Sequence, residues 1–426
     1  MSTAKTWDSA YEFKAVLILS AAFGLVGLDR FILPPLAPAI MKDLNLNYQN
    51  IGDLVGVLAV AWGISAMFIG GLSDRIGRRK VLVPAVVLFS ALSALSGMAT
   101  GLVSLMFVRI IMGIAEGGVA PCGVAVAVEA SHPKRRGMNN GIFQCSISLF
   151  GNGFGPIIAT QLLLFTTWRT VFWIVGIPGL IVAVLMWFII REPVKPAVAA
   201  SAPKEPLMAS VSNALSRMFK HRNVAVSALC LLCAMTGIFV LGAMMPNYLT
   251  DYLKLSNQDM GFVVSAIGFG GALGQFGLLT VSDYIGRRNA TILSFVIAAV
   301  FLWMFIHTGS QLGMLFGLLF VAAMFNFGAL AILAGPIPAE AAPAGLMAAV
   351  SGFVIGCGEI FGGGVAPHIA GGIAQDHGIQ YVLYFAMAGQ LLGLIVSLFL
   401  LETAPRRAKT ASGGTVSALD EVDQVF

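Results

Sequence analysis

"SDRIGRR", residues 73–79, returns 209 positions later as "SDYIGRR", residues 282–288. The same displacement carries "NLNYQNIG" (45–52) onto "KLSNQDMG" (254–261), so two landmarks keep one offset across the whole apolar stretch between them. An offset held over that length reads as a duplicated unit. In each copy the repeated pieces bracket an apolar run long enough to be a helix, and the composition tells what kind.

Of 426 residues, 58% are hydrophobic and 11% charged, with a mean hydropathy of +0.88. A water-soluble globular domain does not have that balance. A membrane-crossing helix needs about 20 mainly apolar residues, and twelve such runs begin near residues 15, 51, 81, 102, 138, 169, 223, 260, 290, 311, 346 and 379. The 49 glycines suit close helix packing in lipid.

Lys and Arg set the expected orientation. Arg75, Arg78, Arg79, Lys80, Lys134, Arg135, Arg136, Arg287 and Arg288 fall in loops on one side, with both termini. Lys42, Arg169 and Lys254 fall on the other, and Arg30 and Arg109 within spans. By the positive-inside rule the basic side is cytoplasmic, so the net charge of +5 reports topology and not nucleic-acid binding. The first fourteen residues show no cleavable-signal pattern, so the first helix is expected to be retained. Five cysteines, an odd number, lie in or near apolar spans. Cys230 and Cys233 form a CxxC only by lying one helical turn apart, and no metal or other cofactor is expected.

The repeat divides the chain into residues 1–190, a linker at 191–222, residues 223–403 and a tail at 404–426. The linker opens Pro-rich ("REPVKPAVAASAPKEP", 191–206) and becomes basic and helix-compatible. The tail lacks apolar periodicity and reads as disordered.

The loop "GGLSDRIGRRK" (70–80), with its weaker partner "TVSDYIGRRN" (280–289), resembles the signature loop of the major facilitator superfamily. The resemblance covers essentially the whole chain. It implies an all-α polytopic membrane protein of twelve transmembrane helices in two pseudo-symmetric six-helix bundles, rocking around a central site. In the loop Gly77 can supply a reversal closed to side chains, and Asp74 can accept hydrogen bonds from a helix end. Arg78 stays on the cytoplasmic side, and Asp283 and Arg287 are the counterparts in the second half. These five are the expected gating loop.

Ionisable residues deep in the spans are few: Asp29, Arg30, Arg109, Glu116 and Glu359. Each costs about 2.5 to 3.5 kcal/mol at mid-membrane, so they are expected to face one another or a wet cavity. Asp29, Glu116 and Glu359 each lie 14 residues into their runs, about 21 Å along a helix. Arg109 and Glu116, seven apart, share a face of one helix. Asp29 and Arg30 are about 100° apart around theirs, so they point to different places.

"LDRFILPPLAPAI" (28–40) and "RIIMGIAEGG" (109–118) resemble the first and fourth helices of the anion:cation symporters, a branch that includes galactonate, hexuronate and phthalate carriers, sialin and the vesicular glutamate transporters. The resemblance implies that Arg30 binds the substrate anion, that Asp29 and Glu116 couple protons, and that Arg109 holds the fourth-helix end of the network. Glu359 reads either as a third coupling carboxylate, a substrate hydrogen-bonder or a structural partner. "LLCAMTGIFVLGAMMPNYL" (231–249) lacks the basic residue of some vesicular members, which argues against a glutamate-like substrate. The aromatic acid symporters carry an Asp-Gly-x-Asp element, of which "GLVGLDR" (24–30) keeps only the second Asp.

Asn247, Tyr248 and Gln144 are further candidates for substrate contacts, with hydrogen bonding between helices as the alternative. The same alternative holds for Ser148, Asn152, Gln275 and Asn326. "GNGFG" (151–155) and "GFGGALG" (268–274) read as packing glycines, because neither joins a strand to a soluble helix. His307, His368 and His377 read as surface residues. No nucleophile with a base, and no metal cluster, suggests an enzyme. The expected function is proton-coupled symport of a small organic anion by a monomer in a bacterial inner membrane, its partners being substrate, protons and lipid. A drug or metabolite antiporter of the same fold is the rival, and two buried arginines favour the anion.

Overall fold

A computed structural model describes residues 8–192, 221–342 and 347–404, without the side chains of 70–72, 74, 75 and 347–349. The side chains of Asp74 and Arg75, most of the linker and nearly all of the tail therefore lie outside the described residues.

Among the described residues every regular element is helical. Twelve helices run α1 (Ser9–Leu44), α2 (Tyr48–Ile76), α3 (Arg78–Ser96), α4 (Leu102–Ala130), α5 (Pro133–Leu162) and α6 (Trp168–Ile189) in the first half. The second half holds α7 (Arg222–Tyr252), α8 (Asn257–Ile285), α9 (Arg287–Ile306), α10 (Leu312–Ala341), α11 (Val350–Asp376) and α12 (Tyr381–Ser397). Eleven are long and apolar enough to cross a membrane, and α12 is a shorter apolar helix. Alternate helices run in opposite directions, which gathers Arg78, Arg135, Arg287 and Arg288 at one end, here the basic end.

Several helices are interrupted where the sequence requires it. α1 bends at Ile32, because Pro34 and Pro35 open its second segment and offer no backbone N–H to the turn before them. The bend leaves Arg30 in the last turn of the first segment. α5 and α11 each contain a stretch of wider π-helical turns, Ser148–Phe154 and Gly358–Val365, and these lie 210 residues apart.

Glycines let the helices approach closely. On α4, a Cβ at Gly113 or Gly117 would lie 2.4 or 2.5 Å from the carbonyl oxygens of Leu58 and Trp62 on α2. Between the halves, a Cβ at Gly56 would lie 2.6 Å from the Gly364 carbonyl oxygen. The two Gly-rich stretches pack on each other, with Gly268 of α8 against the Gly153 backbone nitrogen of α5. Close backbone approach of this kind is how helices associate in lipid.

At the basic end each half is tied to itself. Gly77 (φ 109°) and Gly286 (φ 97°) take left-handed backbone angles that only glycine adopts without strain. The space beside each holds a carboxylate. Arg78 and Arg79 donate their backbone N–H groups to Glu192 at 2.8 and 3.2 Å, and Arg287 donates its own to Glu402 at 2.7 Å. Each acid thus caps the start of a helix. Arg78 also pairs with Glu129, and Arg287 pairs with Asp283 at 2.6 Å and Glu340 at 3.2 Å. Buried Glu12 accepts from Arg135 at 2.5 Å and from Asn139 at 2.8 Å, tying the start of α1 to α5. Outside the helices, exposed Asp8 has its carboxyl held below the usual range by the Tyr11 backbone N–H and by Arg191.

At the far end the contacts cross between halves. Tyr48 donates to Asp251 at 2.7 Å, and the His368 ring lies 2.6 Å from Asp53, with Gln49 reaching both. His368 is exposed, as expected, yet it joins α11 to α2. His307 and His377 are exposed as well.

Candidate functional site

The five deep charges fall close together, and one pair of them, Arg30 and Glu359, joins the halves. All are buried, and Glu116 is fully so. Arg30 donates from Nη2 to Glu359 Oε2 at 2.5 Å, an ion pair that joins α1 to α11. The π turns of α11 carry Glu359 beside Gly63 of α2, where a Cβ would lie 3.1 Å from the Glu359 Cβ. Three rings surround the Arg30 guanidinium: Phe239 at 4.7 Å, Trp62 at 5.2 Å and Phe31 at 5.6 Å. Such faces attract a cation without neutralising it.

Asp29 and Arg30 diverge as their spacing requires. The Asp29 carboxylate accepts from Ser93 of α3 at 2.8 Å, while its backbone carbonyl accepts from Arg109 Nη1 at 3.2 Å. Arg109 sits against the Phe172 ring at 5.6 Å, with Nε and Nη2 lacking hydrogen-bond partners among the described residues. Neither carboxylate oxygen of Glu116 has such a partner. Glu116 is nevertheless within electrostatic reach of Asp29, Arg30, Arg109 and Glu359. The indole N–H of Trp62 is also buried and unpartnered. Unpaired buried polar groups cost about 1 to 3 kcal/mol each, more when charged, so this cluster is held at a loss to stability.

Arg30 and Arg109 line one pocket, with Phe31, Leu58, Phe239 and Gly242 among its walls. Its volume is about 10 Å³, the room of roughly one water. A far larger groove of about 780 Å³ runs along α2, α4 and α11. Its walls are mainly apolar, and the exposed Ile64, Phe68 and Ile114 place it on the outer face of the helices, away from the buried charges.

Other expected contacts lie elsewhere. Asn247 and Tyr248 are more than one turn beyond Gly242, toward the far end. There Asn247 donates to Met41 Sδ at 3.2 Å, and the Tyr248 ring stacks on Tyr252 at 5.2 Å. Gln144 is exposed, nearer the basic end of α5. None of the three lines the arginine pocket. Ser148 donates to Gln275 at 3.1 Å, a bond between halves. Asn326 shares a separate small pocket with Gln390 inside the second half. All five cysteines are free.

The Trp62 and Phe239 walls, Ser93 and the capping acids escaped the sequence reading. Glu192 and Glu402 had a signal, since they lie 210 residues apart, close to the repeat offset.

Twelve helices with charges buried between two halves define a membrane transporter, not an enzyme. The family model described as Major Facilitator Superfamily matches residues 19–233 and again 227–422, and the chain belongs to that family. It is similar to the 4-hydroxybenzoate transporter PcaK of Pseudomonas aeruginosa, 26% identical with 75% of this chain and 77% of the relative covered. It is also similar to the hexuronate transporter of Bacillus subtilis, 29% identical with 66% of each chain covered. Among solved structures, a bacterial homolog of the human lysosomal transporter Spinster, inward-facing and unoccupied, superposes with a TM-score of 0.70 at 18% identity, over 93% of this chain and 95% of that one.

Proposed function

We propose that this chain is a proton-coupled symporter of small organic anions, carboxylates such as aromatic acids or sugar acids, and that it works by alternating access. One observation carries the reading: two buried arginines line a single pocket between the halves. A planar guanidinium offers a carboxylate two parallel hydrogen bonds, which suits recognition of an acid. The relatives' names, 4-hydroxybenzoate and hexuronate, fit one site that selects the carboxylate and tolerates different bodies.

In this reading Arg30 receives the substrate and Arg109 positions the network. Asp29, Glu116 and Glu359 carry protons. Protonating an acid near a guanidinium leaves its positive charge free for an incoming anion, so proton and substrate favour each other reciprocally. The division at 1–190, 191–222, 223–403 and 404–426 makes two bundles that rock. The far-end bonds close one side while Asp74, Gly77, Arg78, Asp283 and Arg287 work the other. The basic end faces the cytoplasm of a bacterium, across its inner membrane, and the monomer is the working unit. Asn247, Tyr248 and Gln144 would meet substrate only in another state of the cycle.

Uptake of radiolabelled acids into proteoliposomes tests the proposal. 4-Hydroxybenzoate or glucuronate should accumulate when the outside is made acid and leak away when the gradient is collapsed. Failure of every acid in the panel, with gradient-driven export of a lipophilic cation instead, would establish the antiporter.

A further inference from the structure

Glu359 occupies the position on Arg30 that a substrate carboxylate would need. Its Oε2 already takes a 2.5 Å hydrogen bond from Nη2, and the pocket that Arg30 lines has room for about one water, so an incoming carboxylate competes with Glu359 for the guanidinium. We propose that Glu359 is a tethered substitute for the substrate: binding displaces it from Arg30, and the displaced carboxylate takes up one proton. The idea rests on the organic-anion reading and adds to it the identity of the exchanged group.

Apart from Arg30, the side chains packed directly on Glu359 among the described residues offer a freed carboxylate no counter-charge. Around Gly363, a Cβ would lie 3.1 Å from Glu359 Oε2, 3.1 Å from the Phe239 ring and 3.2 Å from Ala59. From α2 it lies beside Gly63 and Ala59, and from α7 beside Phe239, with Met235 packed on the flanking glycines; none of these titrates. Cys357 is the nearest titratable group on its own helix. Among the described residues, the cation in contact is Arg30 from α1. Behind it stand Arg109 and Glu116 of α4 and Asp29 of α1, with Glu116 within electrostatic reach of Glu359. A buried ion deprived of its partner is strongly disfavoured, and binding a proton removes the charge.

Charge balances in this exchange. The Arg30–Glu359 pair is lost, an Arg30–carboxylate pair forms, one negative charge enters with the acid and one proton enters with Glu359. A monocarboxylate therefore binds at this position without net charge, and any further proton on Asp29 or Glu116 would make the transport current. The displaced pair also joined the halves, so the same event loosens α1 from α11.

Two measurements on the full-length protein in detergent test this, with 4-hydroxybenzoate and glucuronate run in parallel as probes. Linking one proton to binding makes affinity change about tenfold per pH unit, roughly 100-fold between pH 6 and pH 8. Glu359→Gln should remove that share of the pH dependence, and should take up about one proton fewer per ligand bound in weakly buffered solution. Unaltered pH dependence and proton count, with binding intact, would overturn the proposal while leaving the organic-anion reading in place. A wild-type protein that binds neither probe nor any acid of the uptake panel would sink both. Infrared difference spectra of the wild type supply a check free of folding effects. A protonated-carboxyl band should appear on ligand addition and move in Glu359→Asp; its absence, or a band that ignores that variant, counts against the exchange.

Discussion

Tyr48 of α2 donates its hydroxyl to Asp251 of α7 at 2.7 Å, bridging the two halves at the end opposite the basic loops. With His368 and Asp53 it forms a polar clasp across an otherwise apolar contact. A hydrogen bond to a charged group contributes about 1.5 to 3 kcal/mol. Tyr48→Phe should therefore move the balance between conformations about tenfold or more toward a far end that is open. Spin labels at residues 46 and 255 would report it as a growing long-distance population. An unchanged distance distribution would mean that the clasp does not hold the gate.

Arg30→Lys keeps the positive charge and discards the planar fork. It should raise KM for the transported acid about tenfold to 100-fold, in line with the worth of a charge-assisted bond. Arg30→Ala should abolish uptake. Wild-type kinetics in either variant would remove Arg30 from the substrate site.

Glu116→Gln imitates the protonated acid, since glutamine is uncharged and of similar shape. Exchange of labelled for unlabelled substrate across the membrane should survive, while accumulation driven by a pH difference fails. If Glu116→Gln and Asp29→Asn both still concentrate substrate against its gradient, these acids serve packing alone.

Gly77→Ala should destabilise the basic end. The new methyl group would lie 2.6 Å from Glu192 Oε1, on a backbone angle of φ 109°, and strain of that kind costs about 1 to 3 kcal/mol. Melting in detergent should fall by several degrees, and turnover should slow more than binding weakens. Gly137→Ala, where a Cβ meets nothing within 4 Å, is the control and should melt like the wild type.

Much of this architecture is legible in the sequence. The repeat around Gly77 and Gly286 and the apolar run lengths were enough for the helices, because lipid leaves a chain few alternatives. The burial of Asp29, Arg30, Arg109, Glu116 and Glu359 followed from their depth along each run. The partner of Glu359 did not follow, because Arg30 is 329 positions away and a single sequence contains nothing that links the two. Nor was it visible that Arg109 would bond the Asp29 backbone and leave the carboxylate to Ser93. Spacing sets the face a residue occupies, while the choice of partner depends on helix crossings that apolar periodicity does not encode. The wide turns of α5 and α11 were hidden for a related reason, since an apolar helix face reads much the same with one residue added.

Those wide turns bear on how the chain tolerates length changes. A π turn is an α-helix with one residue inserted, so Ser148–Phe154 and Gly358–Val365 each hold a residue that the helix can lose. Removing one residue there would restore ordinary helix and keep the flanking faces in register. The same deletion in an ordinary α-helical part of a span would turn every later side chain by about 100°. Single-residue gaps among relatives should therefore collect at these two places and at the similar wide turns that close α7, Tyr248–Tyr252. In α11 the shortened helix would still assemble, but Glu359 would swing around its axis and leave Arg30 without its counter-ion.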